Sequence, residues 1–83
     1  MKLLYFAWVR QKVGKSEETL ALPAGVSTVC ELARYLRTRG PGYAEVFADP
    51  ARLHAAVNLE HVGFDTSLSD SDEIAFFPPV TGG

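Results

Sequence analysis

The residues best placed to do chemistry lie at the carboxy terminus, where Phe76-Phe77-Pro78-Pro79-Val80 runs into Thr81-Gly82-Gly83. Glycine lacks a Cβ, so a Gly-Gly end threads a narrow channel and lets another protein's backbone approach closely. Pro78-Pro79 cannot extend a central strand and favours extended backbone, so the chain leaves the preceding element stiffly. Residues Val80, Thr81, Gly82 and Gly83 then reach about 13 Å, at about 3.3 Å each. An arm of that length can enter a partner's active site, and the group it presents there is the Gly83 carboxylate.

Other candidates read as structural. Cys30 falls inside a helical pattern with no His, Lys or Arg placed to lower its pKa. His54 and His61 lack metal-ligand spacing with each other and with the cysteine, so no metal is expected. The acidic run Asp70 to Glu73 lacks the regular oxygen spacing of a calcium loop and reads as a solvated turn. No Ser-His-acid arrangement, carboxylate pair or phosphate loop stands out, which argues against an autonomous enzyme.

Eighty-three residues fit one small domain, and 47% hydrophobic content with 11% aromatics argues against disorder. A single cysteine forms no internal disulfide, which suits a reducing, cytoplasmic setting. No stretch approaches the roughly 18 to 20 apolar residues of a membrane span, and Lys2 leads into strand-like sequence rather than a signal core. The net charge of −2 is unevenly spread: residues 1–52 carry all eight Lys and Arg with five acids, and residues 53–83 carry five acids alone. That polarity disfavours nucleic acid and suits docking on a basic protein surface.

The elements that must position the arm follow from periodicity. Lys2 to Val9 reads as a strand, with Leu3, Tyr5, Ala7 and Val9 facing the core and Leu4, Phe6 and Trp8 opposite. Gln11 to Ser16 reads as a hairpin loop and Glu17 to Pro23 as the returning strand. Val29, Leu32, Ala33 and Leu36 give an amphipathic helix over 28–39, with Thr28 and Glu31 at capping-box spacing and Gly40-Pro41-Gly42 as its stop. Ala44 to Asp49 leaves room for one helical turn. Leu53 to Asn58 and Glu73 to Phe77 read as strands, with a minor strand near Val62 to Phe64 and a turn at Leu68 to Asp72.

This order defines an α+β class, the β-grasp or ubiquitin-like arrangement: a mixed sheet of four or five strands with one main helix on one face. The first and last strands can lie side by side in parallel. Residues 1–79 would form the single domain and 80–83 a flexible tail. With one helix available, the other sheet face stays open. Leu4, Phe6, Trp8 and Phe77, bordered by His61, would make an apolar partner interface there.

The ending Phe76 to Gly83, the Leu68-Ser69-Asp70-Ser71-Asp72-Glu73 turn and Ala56-Val57-Asn58 together resemble the small subunit of molybdopterin synthase, over nearly the whole chain. The resemblance implies a sulfur carrier with no permanently bound cofactor. A ubiquitin-activating-type adenylyltransferase would use ATP to adenylate Gly83, and a sulfur donor protein would convert it to a thiocarboxylate. The large subunit would then catalyse sulfur transfer onto cyclic pyranopterin monophosphate, in an assembly of two small and two large chains. Other readings of the same features are a carrier for thiamine or another sulfur pathway, a ubiquitin-like modifier, and a plain interaction domain.

Overall fold

The computed structural model describes residues 1–79. Its five-stranded sheet has the order β2-β1-β5-β3-β4, with β1 at Lys2–Tyr5, β2 at Glu17–Thr19, β3 at His54–Val57, β4 at Glu60–Val62 and β5 at Glu73–Phe77. The last strand lies in the middle. β5 runs parallel to β1, with Leu3 opposite Ile74 and Tyr5 opposite Phe76, and antiparallel to β3, with Ala55 opposite Phe76. Three helices, α1 (Ala7–Val13), α2 (Val29–Arg37) and α3 (Pro41–Val46), complete the fold with a 3₁₀ turn at Pro50–Arg52.

The core is the alternate set of strand residues plus the inner stripes of the helices. Leu3, Tyr5, Ala55, Ile74 and Phe76 are buried against Val9, Val29, Leu32, Leu36, Val46 and Phe47. Burial of each large side chain contributes about 1.5–3 kcal/mol, and Phe47 meets Phe76 edge to face at 5.0 Å. α2 keeps its capping box: Glu31 N–H donates to Thr28 Oγ1 at 3.2 Å, and Thr28 N–H donates to the Glu31 carboxylate at 3.1 Å. Glu31 also accepts from the Ser27 backbone and hydroxyl, and those bonds hold its carboxyl below the usual range.

The first strand is shorter than periodicity suggests. Ala7 takes a positive φ of 55°, which ends the extended run after Phe6, and residues 7 to 13 wind into α1. The helix stops at Gly14, left-handed at φ 90°, whose N–H donates to Arg10 O at 2.8 Å. Val9 and Val13, four apart, turn inward, while Arg10, Gln11 and Lys12 are good helix formers. The first half of the expected hairpin loop at 11–16 is therefore helix, and the expected strand over 17–23 keeps only residues 17–19. Gly40 does end the α2 region, but Pro41 and Gly42 open α3 instead of leaving a bare stop.

Gly42 is fixed by packing. A Cβ at this position would lie only 3.0 Å from the Lys12 carbonyl carbon, with the carbonyl oxygen closer still, because α3 crosses the end of α1 backbone to backbone. Both partners of that approach are main chain and cannot swing aside. Gly42→Ala is expected to lower the free energy of unfolding by about 1–3 kcal/mol, measured by urea denaturation.

Glu18 sits on edge strand β2 with its side chain only 10% exposed. It accepts from Tyr5 Oη and Tyr43 Oη, both at 2.7 Å, and from Arg39 at 2.9 Å, with Lys15 Nζ at 3.7 Å. An inward charge on an edge strand resists pairing with a stray strand, and here its bonds to Arg39 and Tyr43 also tie β2 to the α2–α3 corner. Burial pushes the Glu18 carboxyl up, but the Tyr43 and Tyr5 hydroxyls and the Arg39 guanidinium together hold it below its ordinary range. Burial and the Glu18 charge push Tyr5 upward. Since the folded-state value of Glu18 is depressed, its contribution is present above the unfolded value of about 4.3 and is lost as pH falls through the folded value. Glu18→Gln should cost about 1–3 kcal/mol at neutral pH and flatten the fall in stability below about pH 4.3, followed by thermal unfolding across pH.

Candidate docking face

Alternation along each strand sends one set of side chains into the core and the other to a face that no helix covers among the described residues. Register assembles this second face. Leu4 lies opposite Ala75, Ala75 opposite Ala56, and Ala56 opposite His61, giving one row across four strands. Phe77 lies opposite His54 in the next row. Phe6 keeps extended backbone and donates its N–H to Phe76 O at 3.2 Å, so it continues the parity of Leu4 beside that row.

The face is graded from one end to the other. Near the start of β1 and β5 it is charged: Lys2 Nζ lies 3.2 Å from Glu17, and Lys2 pairs in register with Glu73. Near the end of β5 it is apolar. Ala56 and Ala75 are small, which leaves a shallow floor between Leu4 and the taller rings of Phe6 and Phe77. Phe6 is 47% exposed, an unusual position for a large ring in a domain whose inner aromatics, Phe47 and Phe76, are sealed.

Of the interface residues expected from the sequence, Leu4, Phe6, His61 and Phe77 come together and Trp8 does not. Trp8 belongs to α1, half-buried against the core, with the Arg52 guanidinium 5.4 Å from its ring centre. The positive φ at Ala7 breaks the strand parity on which its assignment rested. In its place the sheet brings in Ala56, Ala75 and His54, and His54 is the residue sequence reasoning missed. Its ring stacks on His61 at 4.8 Å between centres and tilts against Phe77 at 5.8 Å, while Nδ1 of His54 lies 2.8 Å from Nε2 of His61. A seven-residue separation says nothing until the β3–β4 hairpin sets the register.

The hairpin turn is itself tied to the centre of the sheet. Asn58 and Leu59 both have positive φ, 51° and 70°, as a tight two-residue hairpin turn requires. Asn58 N–H donates to Glu73 O at 2.8 Å, its side-chain amide donates to Asp72 at 3.0 Å, and its side-chain oxygen accepts from Glu73 N–H at 3.0 Å. Asp72 also accepts from Ser69 N–H, and that bond, with the Asn58 amide, holds its carboxyl below the usual range. Asp70 accepts from Leu22 N–H at 2.7 Å. Residues 69 to 71 are exposed in a turn, as the sequence suggested, and Asp70 and Asp72 also brace the entry to β5.

Cys30 lies on α2, half-exposed, and its N–H donates to Phe64 O at 2.8 Å. Among the described residues no group of three or more His, Cys, Asp or Glu side chains could hold a metal ion, no enclosed pocket occurs, and no helix is long and apolar enough to cross a membrane. The expected tail residues Val80, Thr81, Gly82 and Gly83 lie outside the described residues.

A mixed β-grasp sheet whose central last strand leads off one end of an open apolar face is the architecture of the small ubiquitin-like carriers and modifiers, and solved structures bear out the likeness. A molybdopterin converting factor, subunit 1, from Pyrococcus furiosus matches with TM-score 0.74 and 34% identity over 95% of each chain. SAMP1 from Haloferax volcanii matches with TM-score 0.77 and 26% identity, covering 100% of this chain and 98% of that one. The molybdopterin synthase sulfur carrier subunit of Escherichia coli (strain K12) is 43% identical over 83 residues, spanning all of this chain and 99% of the relative. The ThiS family model matches residues 3–83, and the chain belongs to the ThiS family.

If the face is free, its rings contribute little to folding. Phe6→Ser should change unfolding free energy by less than about 1 kcal/mol. Phe76→Ser, on the sealed side of the same sheet, should cost about 3–5 kcal/mol. Equal losses in paired chemical denaturation curves would show that Phe6 belongs to the core.

Proposed function

We propose that this chain is the sulfur-carrier subunit of a molybdopterin synthase and that the Gly83 carboxylate carries the sulfur. The observation that supports it most is the placement of β5: the strand that ends at Phe77 is clamped between β1 and β3 and leads at its apolar end into Pro78-Pro79 and the Gly-Gly sequence. A partner that docks on Leu4, Phe6, His61 and Phe77 therefore grips the domain beside the root of the arm it must receive.

The chemistry asks little of this chain beyond its last carboxylate. A carboxylate is a poor acyl electrophile. In the proposed route it attacks the α-phosphate of ATP on an activating adenylyltransferase, pyrophosphate leaves, and the acyl-adenylate forms. Sulfide-level sulfur delivered by a sulfur donor protein then attacks the acyl carbon, AMP leaves, and a thiocarboxylate remains at Gly83. The large synthase subunit supplies the residues that transfer this sulfur to cyclic pyranopterin monophosphate, two loading cycles giving the two sulfurs of the dithiolene. ATP is a substrate of the activating enzyme, and this chain needs no resident cofactor. The proposed setting is the cytoplasm, in a heterotetramer of two small and two large subunits.

Incubation with activating enzyme, ATP and a sulfur source should replace one carboxylate oxygen by sulfur, read by mass spectrometry and mapped to the terminal peptide. Deleting Gly83 should abolish sulfur transfer with an unchanged circular dichroism spectrum, and Phe6→Ser should weaken large-subunit binding while leaving loading intact. An unmodified terminus under conditions that load the Escherichia coli relative would overturn the proposal. The likeness to SAMP1, whose Methanosarcina acetivorans counterpart is described as a small archaeal modifier protein, favours protein modification as the second reading. Isopeptide-linked conjugates through Gly83 in cell extracts would select it.

A further inference from the structure

The His54–His61 pair has a geometry that the carrier reading does not use. The two imidazoles come from adjacent antiparallel strands, β3 and β4, on the open face, and each has the other as its hydrogen-bond partner. Among the described residues neither is paired with a carboxylate. Phe77 walls both rings, with centres at 5.8 Å from His54 and 5.9 Å from His61. The pair is thus held on a hydrogen-bonded sheet rather than on a loop, with His61 open to solvent and His54 half-buried.

We infer that His54 Nδ1 and His61 Nε2 form a two-nitrogen binding site for a divalent late first-row metal ion, Cu(II) or Ni(II). The donor set favours these ions, because imidazole nitrogens bind Cu(II) and Ni(II) strongly among the divalent metals. With metal–nitrogen bonds of about 2.05 Å, two ligands at a right angle sit about 2.9 Å apart, and two at the tetrahedral angle about 3.3 Å apart. The nitrogens here are 2.8 Å apart, an ordinary hydrogen-bond length that lies close to the right-angle edge of a square-planar or tetragonal centre. For both lone pairs to meet one ion, the rings must turn off the line of their shared hydrogen bond. Binding needs both facing nitrogens bare, so the ring that donates the shared hydrogen bond moves its proton to its other nitrogen, and the metal replaces that bond without net proton release. Water fills the remaining positions.

The test is a calorimetric titration of Ni(II) chloride into the full chain, with Cu(II)-induced broadening of amide NMR signals to locate the ion. One equivalent should bind, with broadening centred on residues 54, 61 and 77. His54→Ala and His61→Leu should each weaken Ni(II) binding on the order of tenfold or more, with circular dichroism unchanged; His61→Leu retains apolar bulk on the sheet. Undetectable binding to the native chain, equal affinity in the doubly substituted His54→Ala/His61→Ala chain, or broadening centred on Met1 or Cys30 would overturn the proposal. A stronger response to Zn(II) than to Ni(II) would overturn the choice of ion.

Discussion

β5 is the last strand in the sequence but a central one in the sheet, and most other features follow from that insertion. Its backbone is paired on both sides, to β1 in parallel and to β3 antiparallel, while its side chains Ile74 and Phe76 anchor the core. The parallel pairing requires the chain to travel over one sheet face before β5 can be placed, which is where α1, α2 and α3 lie. The Asn58 bonds to Asp72 and Glu73 fix where β5 begins. Strand register then fixes which side chains surround Phe77 at its far end.

Because the covering helices all fall on one side, the two faces of the same strands have opposite compositions. Inside, large groups fill the space between sheet and helices. Outside, Ala56 and Ala75 occupy the middle of the row, and bulk comes from Leu4, Phe6 and Phe77 with the His54 and His61 rings beside Phe77. A second layer packed there would bury those rings, and none is present among the described residues. The resulting platform is apolar beside the chain exit and charged at the opposite end, a gradient that gives a docking partner one preferred orientation.

Where the sequence was legible, the local signal and the tertiary demand agreed. The capping pair Thr28 and Glu31, the stripe Val29, Leu32, Ala33 and Leu36, and the Glu73–Phe77 strand all appear as read. Beyond Tyr5 they diverged. Aromatic and β-branched residues in Phe6-Ala7-Trp8-Val9 suggested continued extension, while the Val9–Val13 spacing and Gly14 supported a helix, and packing against α3 favours the helix. One backbone reversal at Ala7 thereby removed Trp8 from the face to which simple alternation assigned it. The minor strand lay slightly earlier, at Glu60–Val62, and the turn near Ala44 became α3 from Pro41. The Glu18 network and the His54–His61 contact were invisible for a different reason: both join residues whose proximity depends on strand register or on the α2–α3 corner, which no local pattern encodes.

A carrier of an activated acyl group has a narrower physical task than an enzyme, and the described residues suit it. Adenylation draws its leaving group from ATP, and transfer draws its catalytic groups from whichever protein receives the arm, so the carrier requires neither a pocket nor a tuned nucleophile. What the carrier does require is a terminus whose position relative to the docking face is reproducible. A central strand bonded on both edges supplies that reference, because shifting Phe77 would break pairing with β1 and β3 together and withdraw Phe76 from the core. The described strand therefore holds the proline pair at a fixed place beside the docking face.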